Sequence, residues 1–125
     1  MTRTAQELFS AAYLATMKQG MASSISNGLC RYRGPNGLKC AIGHLVEDDD
    51  LAHAMDEAND AAIDTLVKNR FPGLPEEFVE HVFLLRTTQI AHDRSKNPAT
   101  FREDFTREMR DIAREFSLSL PEFVE

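Results

Sequence analysis

Phe101, Phe105, Met109, Ile112 and Phe116 recur three and four positions apart, so they line one stripe of a helix. A stripe that apolar is not stable alone in water. It demands cover from other parts of the chain, and so a core built between helices. The same period returns in Phe9, Tyr13 and Met17, with Leu8 and Ala12 beside them, and in Leu51, Ala54, Met55 and Ala58. Helix punctuation fits this reading. Thr4-Ala5-Gln6-Glu7 and Thr100-Phe101-Arg102-Glu103 both have capping-box spacing, and Gly20 is a natural stop. Phe71-Pro72-Gly73-Leu74-Pro75 breaks the chain, and Pro75 with Glu76 and Glu77 opens the next helix, which runs to about Ser95. That helix carries Phe78, Val79, Val82, Phe83, Leu84, Leu85 and Ile90 nearly all round its middle. It is therefore expected to be the central buried helix, with its phenylalanines in the core. The acidic run Glu47-Asp48-Asp49-Asp50 suits a helix start, and residues 47–70 read as one long helix or as two with a restart at Asn59-Asp60. Leu120-Pro121-Glu122-Phe123 repeats the helix-start chemistry of Leu74-Pro75-Glu76-Glu77.

One stretch departs from the helical period. Leu29-Cys30-Arg31-Tyr32-Arg33 and Leu38-Lys39-Cys40-Ala41-Ile42 alternate, and Gly34-Pro35-Asn36-Gly37 lies between them as a turn. This predicts a β-hairpin with Cys30 and Tyr32 on one face and Arg31 and Arg33 on the other. At 125 residues, 42% hydrophobic and 27% charged, the chain is expected to form a single globular domain over 1–125. The expected fold is mainly α (α+β), with four to five helices around one central helix and one short β-hairpin near residues 29–42.

No apolar run is long enough to span a membrane, and no apolar signal core follows the first residues. The expectation is a cytoplasmic protein with free thiols at Cys30 and Cys40. The net charge of −6 argues against general affinity for nucleic acid or anionic membrane, and sequence-specific duplex DNA is not an expected partner. The charge is unevenly spread. Residues 1–46 hold five bases against Glu7, residues 47–93 hold twelve acids against three bases, and residues 94–125 are nearly balanced. The acidic run at 47–50 reads as a solvated helix start, with an acidic docking patch as the alternative.

The densest chemistry lies in residues 30–44. Cys30-x-Tyr32-Arg33-Gly34-Pro35-x-Gly37-x-Lys39-Cys40-Ala41-Ile42-Gly43, with Gln89-x-x-His92-Asp93 later, resembles a group of uncharacterised small bacterial and bacteriophage proteins. The resemblance implies a cytoplasmic protein of phage, prophage or bacterial origin, and it carries no catalytic residues with it. Arg31, Arg33 and Lys39 around Tyr32 have the composition of an anion clamp, and the alternative is that they pair with the acidic run and solvent. Neither a P-loop nor a dinucleotide fingerprint accompanies them. Cys30, Cys40, His44 and His53 are candidate metal ligands, but only Cys40-x₃-His44 has the tight spacing zinc sites use, so buried apolar thiols are the expectation. A Cys30–Cys40 disulfide is disfavoured in a reducing compartment. A thiol with His92 and Asp93 would imitate a catalytic set, yet adjacent helical residues point about 100° apart, so Asp93 is expected to be badly placed to orient His92.

Two functional expectations follow. The first is a small cytoplasmic interaction module that binds a macromolecular partner, expected to be a protein, through Arg31, Tyr32, Arg33 and Lys39 of the basic hairpin. The alternative is a binding protein or enzyme for a phosphate-bearing ligand or nucleotide, using the same cations with His92 as acid and base. No resident cofactor or metal is expected in either case.

Overall fold

In a computed structural model describing residues 2–23 and 31–124, the chain forms six α-helices. They are α1 (Ala5–Gln19), α2 (Asp49–Asp56), α3 (Ile63–Lys68), α4 (Glu76–Glu80), α5 (Val82–Arg94) and α6 (Phe101–Glu115). α5 packs against α1, α3, α4 and α6, so the centre is one of six helices among the described residues, where four to five around an unbroken 75–95 helix were expected. Tyr13 of α1 and Phe101 and Phe105 of α6 form a stacked series, with centroid separations of 6.1 and 5.6 Å. The His92 ring of α5 meets Phe101 edge-on at 6.4 Å. Leu8, Phe9, Tyr13, Leu84, Leu85, Phe105 and Met109 close the space between these helices.

Local rules explain several boundaries. Thr4 Oγ1 accepts from the Glu7 amide while the Glu7 carboxylate accepts from the Thr4 amide, which is the reciprocal capping box. Gly20 ends α1 at φ 79°, left-handed backbone that glycine adopts at little cost. Residues 47–70 form two helices. Asp48 accepts from the amides of Asp50 and Leu51 to start α2, and the Asp60 carboxylate takes the Ala62 amide in the turn before α3.

Several expectations fail. The second capping box is not made: Thr100 Oγ1 donates to the Asp104 carboxylate at 2.8 Å instead. Leu120-Pro121-Glu122-Phe123 starts no helix. The tail there is tied down, with Gln6 bonding both backbone groups of Ser119 at 2.9 Å and Phe123 lying under Arg102. The helix after Pro75 is interrupted at His81 (φ −112°, ψ 32°), which separates α4 from α5. Beside this joint Phe83 is 79% and Val79 54% exposed, so the helix is not apolar-buried all round and not every phenylalanine is core.

The largest correction is the hairpin: no strand occurs among the described residues. Within 31–42 only two backbone bonds cross the turn, Gly34 N–H to Leu38 O at 2.7 Å and Cys40 N–H to Arg31 O at 3.2 Å. Side chains take several of the other backbone groups. Asp56 accepts from the amides of Tyr32 and Arg33, Ser23 Oγ donates to Arg31 O, and Gln19 bonds both the amide and the carbonyl of Lys39. Alternation is satisfied by a loop as well as by a strand when neighbouring helices supply the partners. Arg31 and Arg33 accordingly do not share a face: Arg31 is exposed, whereas the Arg33 side chain is only 9% exposed.

Gly43 lies where the loop folds back on itself, and a Cβ there would meet Tyr32 O at 2.3 Å. The contact is with backbone, so no rotamer change relieves it. Gly43→Ala is expected to lower stability by about 1–3 kcal/mol, measured by urea unfolding, whereas Gly37→Ala, with open space around it, acts only through its positive φ.

Candidate functional site

Arg33 is the centre of the 31–46 loop. Its Nε donates to Asp49 Oδ1 at 2.8 Å, Nη1 to Gly43 O at 2.7 Å and to Tyr32 O at 3.2 Å, and Nη2 to Val46 O at 2.6 Å. One guanidinium thus satisfies three carbonyls and a carboxylate, geometry that its planar fork permits and an ammonium does not. The Arg33 guanidinium in turn holds the Asp49 carboxyl below its usual range. These bonds take up Arg33 inside the fold.

Tyr32 is buried as well. Its hydroxyl donates to Ala61 O and accepts from Gln89 Nε2 at 3.0 Å, and burial pushes the phenol pKa well up. Of the expected basic residues, Lys39 is half-buried and Arg31 exposed, and neither side chain makes a hydrogen bond or ion pair among the described residues. The structure therefore does not bring Arg31, Tyr32, Arg33 and Lys39 together as one open clamp.

His92 is fully buried. Its Nε2 accepts from the Ser23 amide at 3.1 Å, so the ring proton resides on Nδ1, which donates to Asp93 Oδ1 at 3.1 Å. This corrects the expectation for the pair: despite their adjacency on the helix, Asp93 bends back to His92. The ring is closed off from solvent.

Cys40 is a free, buried thiol whose Sγ accepts from the Gly43 amide at 3.3 Å. Burial pushes its pKa up to about 12. His44 is pushed down to about 4, by burial first and then by Lys39, His92 and Arg33, and its Nε2 has no partner among the described residues. No group of three His, Cys, Asp or Glu side chains among the described residues could hold a metal ion, and Cys30, another candidate ligand, lies outside them.

The open chemistry lies elsewhere. A cleft of about 400 Å³ is lined by Arg3, Val46, Glu47, Asp48 and Glu77 among others, but Arg3 is paired with Glu77 at 2.8 Å there. A second cleft, of about 370 Å³, separates the 59–62 turn from α5 and is lined by Asn59, Asp60, Ala61, Ala62, Arg86, Gln89 and Asp93. Two members of the Gln89-x-x-His92-Asp93 pattern thus face a cleft, with the third directly behind it. The sequence marks that pattern and reads Asp60 only as a helix restart, with nothing to join it or Arg86 to the pattern, because the 59–62 turn meets α5 only in the tertiary fold. No family model, curated protein or solved structure matches the chain.

Arg33→Ala is expected to cost about 2–4 kcal/mol, since it strips charged bonds from buried carbonyls. Arg33→Lys should recover less than half of that, both being read from urea midpoints. In a Cys30→Ser background, Cys40 should resist iodoacetamide at pH 8 in the native state and react once unfolded, because its thiol is neutral and occluded. For His44 the folded pKa lies below the unfolded one, so the unfolded chain binds more protons between pH 6.5 and about 4. Stability should fall as the pH drops through that window, and His44→Gln should flatten the slope of urea stability between pH 7 and pH 5.

Proposed function

We propose that this protein is a small interaction module, of the bacterial or phage origin its resemblance implies, that binds a basic segment of another protein in the cytoplasm. The observation that carries this reading is the pair Val79 and Phe83, 54% and 79% exposed and four residues apart across the α4–α5 joint. Scattered surface apolar residues need no explanation, but two large ones on either side of one joint offer an anchor of the kind partners bury. Charge indicates the occupant. Glu76 and Glu80 are exposed beside the anchor, Asp60 and Asp64 are exposed across from α5, and residues 47–93 hold twelve acids against three bases. Acids around an apolar anchor favour a segment that combines an apolar side chain with lysine or arginine, and they repel a second acidic surface.

This places docking on the acidic face of α4 and α5 rather than on the 31–39 loop, because Arg33 and Tyr32 are taken up by the fold. The same fact removes the main support for a phosphate clamp built on Arg33 and His92.

The test is capture from a lysate of the source cell, followed by titration of the identified partner. Phe83→Ala should weaken binding at least about 30-fold, the size of a buried aromatic anchor. Its melting temperature should stay within a degree of wild type, since the ring is already solvated. Glu80→Lys should weaken binding and reduce its salt dependence. If Arg31→Ala with Lys39→Ala abolishes binding while Phe83→Ala does not, the docking face is the loop and this reading falls. Dimerisation through Phe83 in sedimentation would also overturn it.

A further inference from the structure

The 370 Å³ cleft beside α5 deepens that reading and rests on it for its biological partner. We infer that this cleft is a socket for one lysine or arginine side chain of the partner, with Asp93 and Asp60 receiving the cation and Arg86 receiving a backbone carbonyl of the same residue.

The argument starts from what holds the cleft's charged groups. Asp93 is 37% exposed, yet a fully buried imidazole directs its sole N–H at one of its oxygens. That bond leaves the second carboxylate oxygen for a ligand and restrains the first. Arg86, 34% exposed, is held in a similar way: Gln89, only 5% exposed, accepts from Arg86 Nη1 at 3.0 Å. Gln89 is itself locked by the Ile63 amide at 2.9 Å and by the Tyr32 hydroxyl. Two buried polar side chains thus orient two partly exposed ions of opposite sign that line the same cleft. Asp60 is oriented across from them by the Ala62 amide and the Thr65 hydroxyl. Surface ions are normally left free to move; positioning them from beneath is what a recognition site needs.

The sign of the ligand follows from the lining. Asp60 and Asp93 outweigh Arg86, and Arg86 is further neutralised by Asp64 at 3.4 Å. The cleft therefore attracts a cation, while the remaining guanidinium donors of Arg86 suit a carbonyl. Both groups occur on one basic residue within a peptide. The cleft also continues the apolar anchor. Phe83, Arg86, Ile90 and Asp93 follow one another at helical spacing along the solvent side of α5, with Phe83 and Asp93 about 15 Å apart along the axis. A partner segment on Val79 and Phe83 would reach the socket with a basic residue two or three turns away.

The experiment uses the whole protein and three blocked residues: N-acetyl-lysine methylamide, N-acetyl-arginine methylamide and N-acetyl-norleucine methylamide. Amide chemical shifts are followed in titrations to tens of millimolar. Lysine or arginine should shift the amides of Ala61, Ala62 and Asp93 with saturation, and norleucine should not. Asp93→Asn should weaken the response at least fivefold while leaving the dispersed spectrum intact, and Asp60→Asn should act in the same direction. No saturable shift at these amides, equal response to norleucine, or an unchanged response in Asp93→Asn would overturn the socket. The two readings fail separately: loss of partner binding in Phe83→Ala with no probe binding leaves the module and removes the socket. Saturable probe binding with a partner indifferent to Phe83→Ala retains a cation site and removes the module.

Discussion

One buried guanidinium holds the 31–46 loop in place. Residues 31–46 contain no α-helix or strand, so their carbonyls have few regular partners. Arg33 supplies partners to those of Tyr32, Gly43 and Val46, and its charge is balanced by Asp49 at the start of α2. Asp56, on the same helix, takes the amides of Tyr32 and Arg33. The loop is thus fastened to α2 through two carboxylates and one cation. A buried charge costs several kcal/mol if unpaired, and this constellation offsets that cost only when every bond is made. It favours a single arrangement of the loop.

From that arrangement a polar network runs through the core to the surface. Tyr32, positioned by Asp56, meets Ala61 and Gln89, and Gln89 meets Ile63 and Arg86. In parallel Ser23 meets His92, and His92 meets Asp93. Both routes cross α5 from its inner side to its outer side. The helix therefore has two jobs that share side chains: its inner face closes the core, and its buried polar residues set the angle of the ions on its outer face. Protein interiors transmit such placement because they are close-packed and their polar groups must be satisfied.

The helices were largely legible in advance. The stripe of α6, the Thr4 capping box, the Gly20 stop and the break before Pro75 rest on contacts three or four residues apart. The failures have different causes. Tyr32 and Arg33 read as an open basic face because their partners, Asp56, Gln89 and the Val46 carbonyl, lie 13 to 57 residues away. Phe83 read as core because composition cannot tell which side of an apolar helix lacks a neighbour. The His92–Asp93 pair read as mismatched because a rigid 100° step ignores the freedom of a short carboxylate to turn back.

The amino-acid sequence by itself determined both ends of α1, the starts near Asp48 and Pro75 and which stripes must be covered, since these follow from side-chain period and end chemistry within one or two turns. It also determined the acidic middle of the chain, which is a matter of counting. Only the tertiary structure decided that a turn flanked by alternating residues is a clamped loop, that its arginine faces inward, and that Asp60 stands across from Asp93. The reason is physical. A buried polar group takes whichever partner the packing brings within about 3 Å, and for these residues that partner lies on a different element.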